Sequence, residues 1–349
     1  MKKILSLFLL LGFSIGGFAQ KSMLKNEYTL VVENFPSTVE KWESVPKENN
    51  ANSLSILTYN LGILRFKVPF KTLDLVPYTR QRLEKLPEIL LNSGADVLCL
   101  QEVFEEKDKQ FLIGNLSKEY PFATYVSRRG LTFGLDDGMM VFSKYPILTS
   151  EYHPYKSGVL LEKIAADKGT LQVEVFFQNQ SVFFFNNHTT AGGGVHHSES
   201  KRADFIRQKQ IDQMLDLAKA KQENHLVFIC GDFNAGPQSP YTETIKEASK
   251  ENYQSMIDAG FVDTFPLGCK DKSCDRETWD KESFLNLEGG YFPSSADQKI
   301  DHILINKNFV SKISSFQSEV IFYENSLTIE GNKLTPSDHN GVKTTLIFK

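Results

Sequence analysis

The chain has 349 residues, of which 41% are hydrophobic, and a formal net charge of −4. This composition supplies a core for one large α/β domain or two ordinary ones and excludes a disordered, low-complexity protein. The mild acidity excludes a protein that coats nucleic acid by net charge alone, though a local basic groove can sit on an acidic surface.

In chain order, Lys2 and Lys3 precede an apolar run, Ile4–Phe13, and a small-residue stretch ending at Ala19. A basic start, a short apolar run and a small-x-small end have the form of a signal peptide over residues 1–19, cleaved after Ala19. The run falls short of the roughly 20 residues a spanning helix needs, so export to a secreted or periplasmic location is expected. Tyr28–Val32 predicts a strand and Pro46–Ser53 a polar linker. Residues 20–53 therefore read as an N-terminal strand and linker, and 54–349 as one domain without a solenoid repeat.

Within that domain, short apolar runs rich in β-branched and aromatic residues predict strands at Leu54–Tyr59, Val97–Leu100, Gly138–Phe142, Leu171–Phe177, Val182–Phe185, Leu226–Ile229, Ile300–Ile305 and Gly341–Phe348. Helical spacing marks Arg80–Asn92, which Pro87 should bend or shorten, and Lys201–Lys221, with Phe205, Ile206, Ile211, Met214, Leu215, Leu217 and Ala218 on one face. The alternation predicts a layered α/β fold with sheets packed inside helices. Cys99 and Cys230 lie in apolar runs and read as buried small hydrophobes. Cys269 and Cys274 bracket a polar loop; in an exported chain they favour a local disulfide over zinc, whose ligand spacing is missing.

Polar groups stand where the apolar runs stop: Asn60, Glu102, Asn186-Asn187-His188, Asp232-Phe233-Asn234, and Asp338-His339 before the last strand. Asp301 stands among apolar neighbours. Each alone is more often a turn residue or a satisfied core polar group. Strand ends converge at a sheet edge, however, where α/β enzymes build sites, and acids, amides and histidines meeting there suit a hard cation and a phosphate. Mg²⁺ takes oxygen ligands, so Glu102 is a candidate ligand with Asn60, Asp232, Asp338 and His339 around it. Such an ion screens a phosphodiester's charge and stabilises its transition state. His339 or Asp232 would accept the proton of the attacking water, Asp301 would orient His339, and His188 and Asn234, with Asn60, would bind the phosphate.

The ordered set Leu57–Asn60, Gln101–Val103, Asn187–Thr189, Gly231–Asn234, Ile300–Ile303 and Ser337–His339 resembles the endonuclease/exonuclease/phosphatase superfamily. The resemblance implies a DNase I-like, four-layered α/β sandwich: two central mixed sheets flanked by helices, with Mg²⁺ between the sheet edges. Mn²⁺ or Co²⁺ stays open as a substitute. It further implies that Glu102 binds metal, that Asp301 pairs with His339, and that His188, Asp232 and Asn234 surround the scissile phosphate.

Smaller features point to the substrate. Lys168–Val173, Thr278-Trp279-Asp280 with Asn286, and His188–Gly193 resemble segments of neutral sphingomyelinases. That likeness implies hydrolysis of sphingomyelin to ceramide and phosphocholine by in-line attack of a metal-activated water, with a sphingolipid surface as partner and a monomeric enzyme. Leu61–Phe70, apolar with Arg65 and Lys67 interspersed, is a candidate interfacial loop. His196 and His197 follow a Gly-rich stretch and read as a rim loop. The rival readings on the same fold are a secreted nuclease, for which no dense basic stripe is found, and an inositol-phosphate phosphatase.

Overall fold

The computed structural model describes residues 28–34, 51–68, 71–128, 137–158, 168–191, 197–289 and 296–349. The expected signal peptide and most of the expected linker lie outside them, as does His196. Two sheets form the centre. The seven-stranded sheet runs β1 (Tyr28–Asn34), β6 (Phe122–Arg128), β7 (Met140–Ser143), β5 (Val97–Val103), β2 (Ser53–Ile63), β19 (Gly341–Phe348) and β16 (Ile313–Ile321). The six-stranded sheet runs β13 (Phe261–Asp263), β15 (Asp301–Asn306), β11 (Leu226–Asp232), β10 (Gln180–His188), β9 (Gly169–Phe177) and β8 (Ile147–Pro154). Three two-stranded ribbons lie outside them: β3 (Arg65–Val68) with β4 (Lys71–Asp74), β12 (Ile245–Lys246) with β14 (Asp297–Gln298), and β17 (Leu327–Ile329) with β18 (Asn332–Leu334).

Three apolar layers hold the stack together. Leu54, Ile56, Val97 and Cys99 of one sheet meet Phe184, Phe228, Cys230 and Ile303 of the other in the central layer. The other faces of β2 and β5, with Leu57, Tyr59, Leu98 and Leu100, pack on α1 (Thr79–Asn92) and α2 (Glu106–Leu116). Phe183, Phe185, Val227 and Ile229 pack on α3 (His197–Gln222) and α4 (Lys250–Asp258). Helix, sheet, sheet and helix thus form the four expected layers. Strands buried on both faces explain the near-continuous apolar runs in the sequence.

Three local expectations are corrected. Helix α1 continues through the buried Pro87 to Asn92, so the proline does not shorten it. Phe205 is 65% exposed, while Ala203, Ile206 and Ile211 form the buried stripe of α3, and the Lys209 ammonium lies 5.6 Å over the Phe205 ring. Of the proposed interfacial loop, Leu61 and Ile63 are core residues and Leu64 packs against Val76 and Leu334, while the Phe66 side chain and Pro69-Phe70 lie outside the description. Cys269 and Cys274 are disulfide-bonded, and Cys99 and Cys230 are buried free thiols. Among the described residues no helix is long and apolar enough to cross a membrane.

Candidate active site

Each sheet contains one parallel pair, β2 with β5 and β10 with β11, flanked by antiparallel neighbours. The parallel pairs end side by side, with Asn60 opposite Gln101 and His188 opposite Asp232. Side chains alternate along a strand with period two, so the parity of each core residue fixes the direction of the polar one beyond it. Leu54, Ile56, Phe184, Phe228, Cys230 and Ile303 face the central layer. Asn60, His188, Asp232 and Asp301 share their parity and turn into the same space between the sheets. Glu102 has the wrong parity, and its backbone compensates: its φ of 61° lies in the left-handed region, which a glutamate rarely adopts. Asn234 has the same conformation, at φ 48°.

Asp232 sits at the centre. Asn60 Nδ2 donates to its Oδ2 at 3.0 Å, and the Asn234 N–H donates to its Oδ1 at 2.9 Å. The same Oδ2 lies 3.7 Å from both His188 Nε2 and His339 Nε2. His339 Nδ1 meets Asp301 Oδ2 at 2.9 Å, and His188 Nε2 lies 3.6 Å from Glu102 Oε1. Asn234 Nδ2 makes only a long contact with Thr189 O, at 3.4 Å. Asp338 receives the Ser337 hydroxyl at 3.0 Å, and a Cβ on Gly62 would collide with its carboxylate, so Gly62, at φ 57°, lets this acid close on the Asn60 strand end. The structure thus brings together every residue expected at the site.

The electrostatics follow from burial among like charges. Burial, then Asp338, pushes the Glu102 carboxyl up to about 7. Burial, then Asp301, pushes Asp232 up to about 6. Burial opposes an imidazolium at His339, but Asp301 and Asp232 outweigh it and hold the pKa well above the usual histidine value. Burial and the Lys168 ammonium drive His188 well below it. Four crowded carboxylates ask for a cation, and Asp301 Oδ1 is buried with no hydrogen-bond partner. Ligand atoms of Asp232, Asp301 and His339 all lie within 4.8 Å of one another. The donor set fits a hard divalent metal, with Asp301 nearer the cluster than the sequence suggested.

Of the supporting residues, Arg82 carried no signal as part of the site, while Lys168, Gln101 and His302 stood inside the segments that carry the family resemblance without a role of their own. Lys168 Nζ lies 3.2 Å from His188 Nε2 and donates to Thr189 O at 2.7 Å. Arg82, fully buried on α1, donates to the carbonyls of Leu61, Gly62, Pro77 and Pro336, holding the two loops that carry Gly62 and Ser337. Beneath the site, Gln101 Nε2 donates to Asn186 Oδ1 at 2.7 Å and joins the two sheets. His302 Nδ1 meets Asp263 Oδ2 at 2.8 Å and its Nε2 meets Ala235 O at 3.0 Å, fixing the turn after Asn234. A buried charge inside a helical pattern was the one available clue to Arg82.

Comparison with known proteins bears on the fold and the family. The chain is 25% identical over 233 residues to phospholipase C of Staphylococcus aureus, covering 61% of this chain and 63% of that protein, so it spans less than two thirds of that relative's length. It is 24% identical over 278 residues to sphingomyelinase C of Bacillus cereus, covering 74% and 77%. A crystal structure of Staphylococcus aureus beta toxin with bound magnesium ions superposes with a TM-score of 0.64 at 20% identity, over 84% of this chain and 99% of that one, a likeness of fold alone. Residues 57–339 match the profile of the Endonuclease/Exonuclease/phosphatase family, a stretch that begins on β2 and ends at His339, and the chain belongs to that family.

Proposed function

We propose that this protein is an exported, divalent-metal-dependent phosphodiesterase that hydrolyses sphingomyelin to ceramide and phosphocholine. The observation that carries the reading is the Asp301–His339 pair aimed at Asp232 and Asn60 beside a cluster of buried carboxylates. The names of relatives at 24–25% identity, sphingomyelinase C and phospholipase C, support the lipid substrate.

In this reading Glu102, Asp232, Asp338 and Asn60, with Asp301 at hand, would hold the metal. Bound there, Mg²⁺ would neutralise charge on the phosphoryl group. The chain's own groups do the rest. Asp301 engages Nδ1 of His339, which leaves Nε2 to take the proton of the attacking water. His188, whose Nε2 lies 3.7 Å from Asp232, donates a hydrogen bond to a phosphoryl oxygen. Asn60 and Asn234 orient the phosphate. In the metal-free chain Asp301 and Asp232 hold His339 protonated, so its Nε2 is freed as a base once those acids are neutralised by a cation, while the depressed His188 stays neutral and donates a hydrogen bond. Of the expected interfacial loop, Leu61–Arg65 is turned inward, so the lipid contact falls to Phe66 and Phe70 beyond it.

The test is phosphocholine release from sphingomyelin vesicles by the mature protein, with Mg²⁺ and with EDTA, against plasmid DNA and phosphatidylcholine. Release that needs Mg²⁺ and spares both controls supports the proposal. Nicked plasmid with intact lipid would make the protein a nuclease, and no turnover of any diester would overturn the reading.

A further inference from the structure

Asp301 opens β15 in the six-stranded sheet, and His339 precedes β19 in the seven-stranded sheet. Their hydrogen bond therefore spans two sheets that share only side-chain packing at that point, and its length depends on what sets the gap. The segment Thr278-Trp279 crosses this gap. Thr278 is fully buried, and its hydroxyl accepts the N–H of Ile300 at 2.9 Å and of Asp301 at 3.2 Å. Its carbonyl accepts the N–H of Asn340, the residue after His339, at 2.7 Å. Asn340 Nδ2 donates to Glu277 O at 2.9 Å as well. One threonine thus ties the backbone at Asp301 to the backbone at His339. Trp279 continues the clamp: it exchanges backbone hydrogen bonds with Gln298, and its indole meets the His339 imidazole nearly edge to face, at 5.0 Å and 71°.

We propose that Thr278 and Trp279 are positioning residues that set the alignment of His339 on Asp301. The inference rests on the reading of that pair as catalytic. Trp279 Nε1 is buried without a partner, so the indole is kept for its shape against His339 rather than for a hydrogen bond. Phenylalanine, which keeps a ring edge and removes the orphan donor, should then replace it, and serine, which keeps the hydroxyl, should replace Thr278.

The experiment compares Trp279→Ala, Trp279→Phe, Thr278→Val and Thr278→Ser in the full chain, each checked for folding by near-UV circular dichroism. Two readouts are taken: kcat and KM on the diester, and the downfield ¹H resonance of the His339 Nδ1–H, assigned by its loss in His339→Ala. Misalignment of reacting groups by about 1 Å is enough for a 10²-fold loss. Trp279→Ala and Thr278→Val should therefore lose kcat by about 10²-fold with KM little changed, and should shift the resonance. Trp279→Phe and Thr278→Ser should stay within about threefold of the parent and keep it. A Trp279→Ala variant with parental kcat and an unmoved resonance would overturn the proposal. So would a Trp279→Phe variant that raises KM alone, since the indole N–H would then touch substrate. If the parent protein turns over no diester, the proposed function fails, and the resonance comparison alone decides the positioning role.

Discussion

Lowering the pH should release the metal, and the structure sets the size of the effect. Glu102 titrates near 7 and Asp232 near 6 in the metal-free protein, both raised first by burial. Raised carboxylates are protonated at pH 5 and ionised at pH 8, and a cation must displace those protons before it can bind. If both acids ligate, apparent Mg²⁺ affinity should fall about 10³-fold from pH 8 to pH 5, equivalent to about 4 kcal/mol. The Glu102 side chain keeps 14% of its surface, and solvent there trims the figure rather than reversing it. His339 acts with the same sign, because its pKa is held up by the acids the metal would neutralise. Titration calorimetry at pH 6 in two buffers of different ionisation enthalpy should count between one and two protons released per ion. An affinity unchanged between pH 8 and 5, with no protons released, would refute the placement of the metal on Glu102 and Asp232.

Other outcomes follow from the same geometry. His339→Ala and Glu102→Ala should each lower kcat by about 10²-fold or more while the protein stays folded, and a loss under about tenfold in steady-state assays would mean the site is misplaced. Gly62→Ala should weaken Mg²⁺ binding by calorimetry, since its Cβ would push Asp338 away from a backbone already at positive φ. Arg82→Leu should destabilise the protein by about 3 kcal/mol or more in urea denaturation, because four backbone carbonyls lose a buried charged donor. Phe228→Ala, in the central layer, should cost about 3–5 kcal/mol in the same experiment. Phe66→Ser with Phe70→Ser should reduce vesicle binding and spare a soluble diester, and unchanged binding in the folded variant would remove the interfacial loop from the proposal.

Much of the fold was legible because both sheets are covered on both faces. Double burial turns central strands such as Leu226–Ile229 into plain apolar runs, and a polar residue at the end of such a run stands out. Two of the missed strands, Ile147–Pro154 and Ile313–Ile321, have mixed exposure and carry too little apolar pattern to separate from loop. Phe205 misled because helical spacing leaves the edges of an apolar stripe ambiguous by one position.

By itself, the sequence determined which residues are candidates for the chemistry. Asn60, His188 and Asp232 stand out by strand periodicity and by the abrupt change from apolar to polar at strand ends, both local properties of the chain, and Glu102, Asp301 and His339 by the ordered motifs around them. Only the tertiary structure decided how those residues are held. Arg82, Lys168, Gln101 and Thr278 act across gaps of 20 to 254 residues or between sheets, and Glu102 reaches the pocket through a left-handed backbone. Such contacts depend on where two separately folded sheets meet, and no pattern within a window of neighbouring residues records that distance.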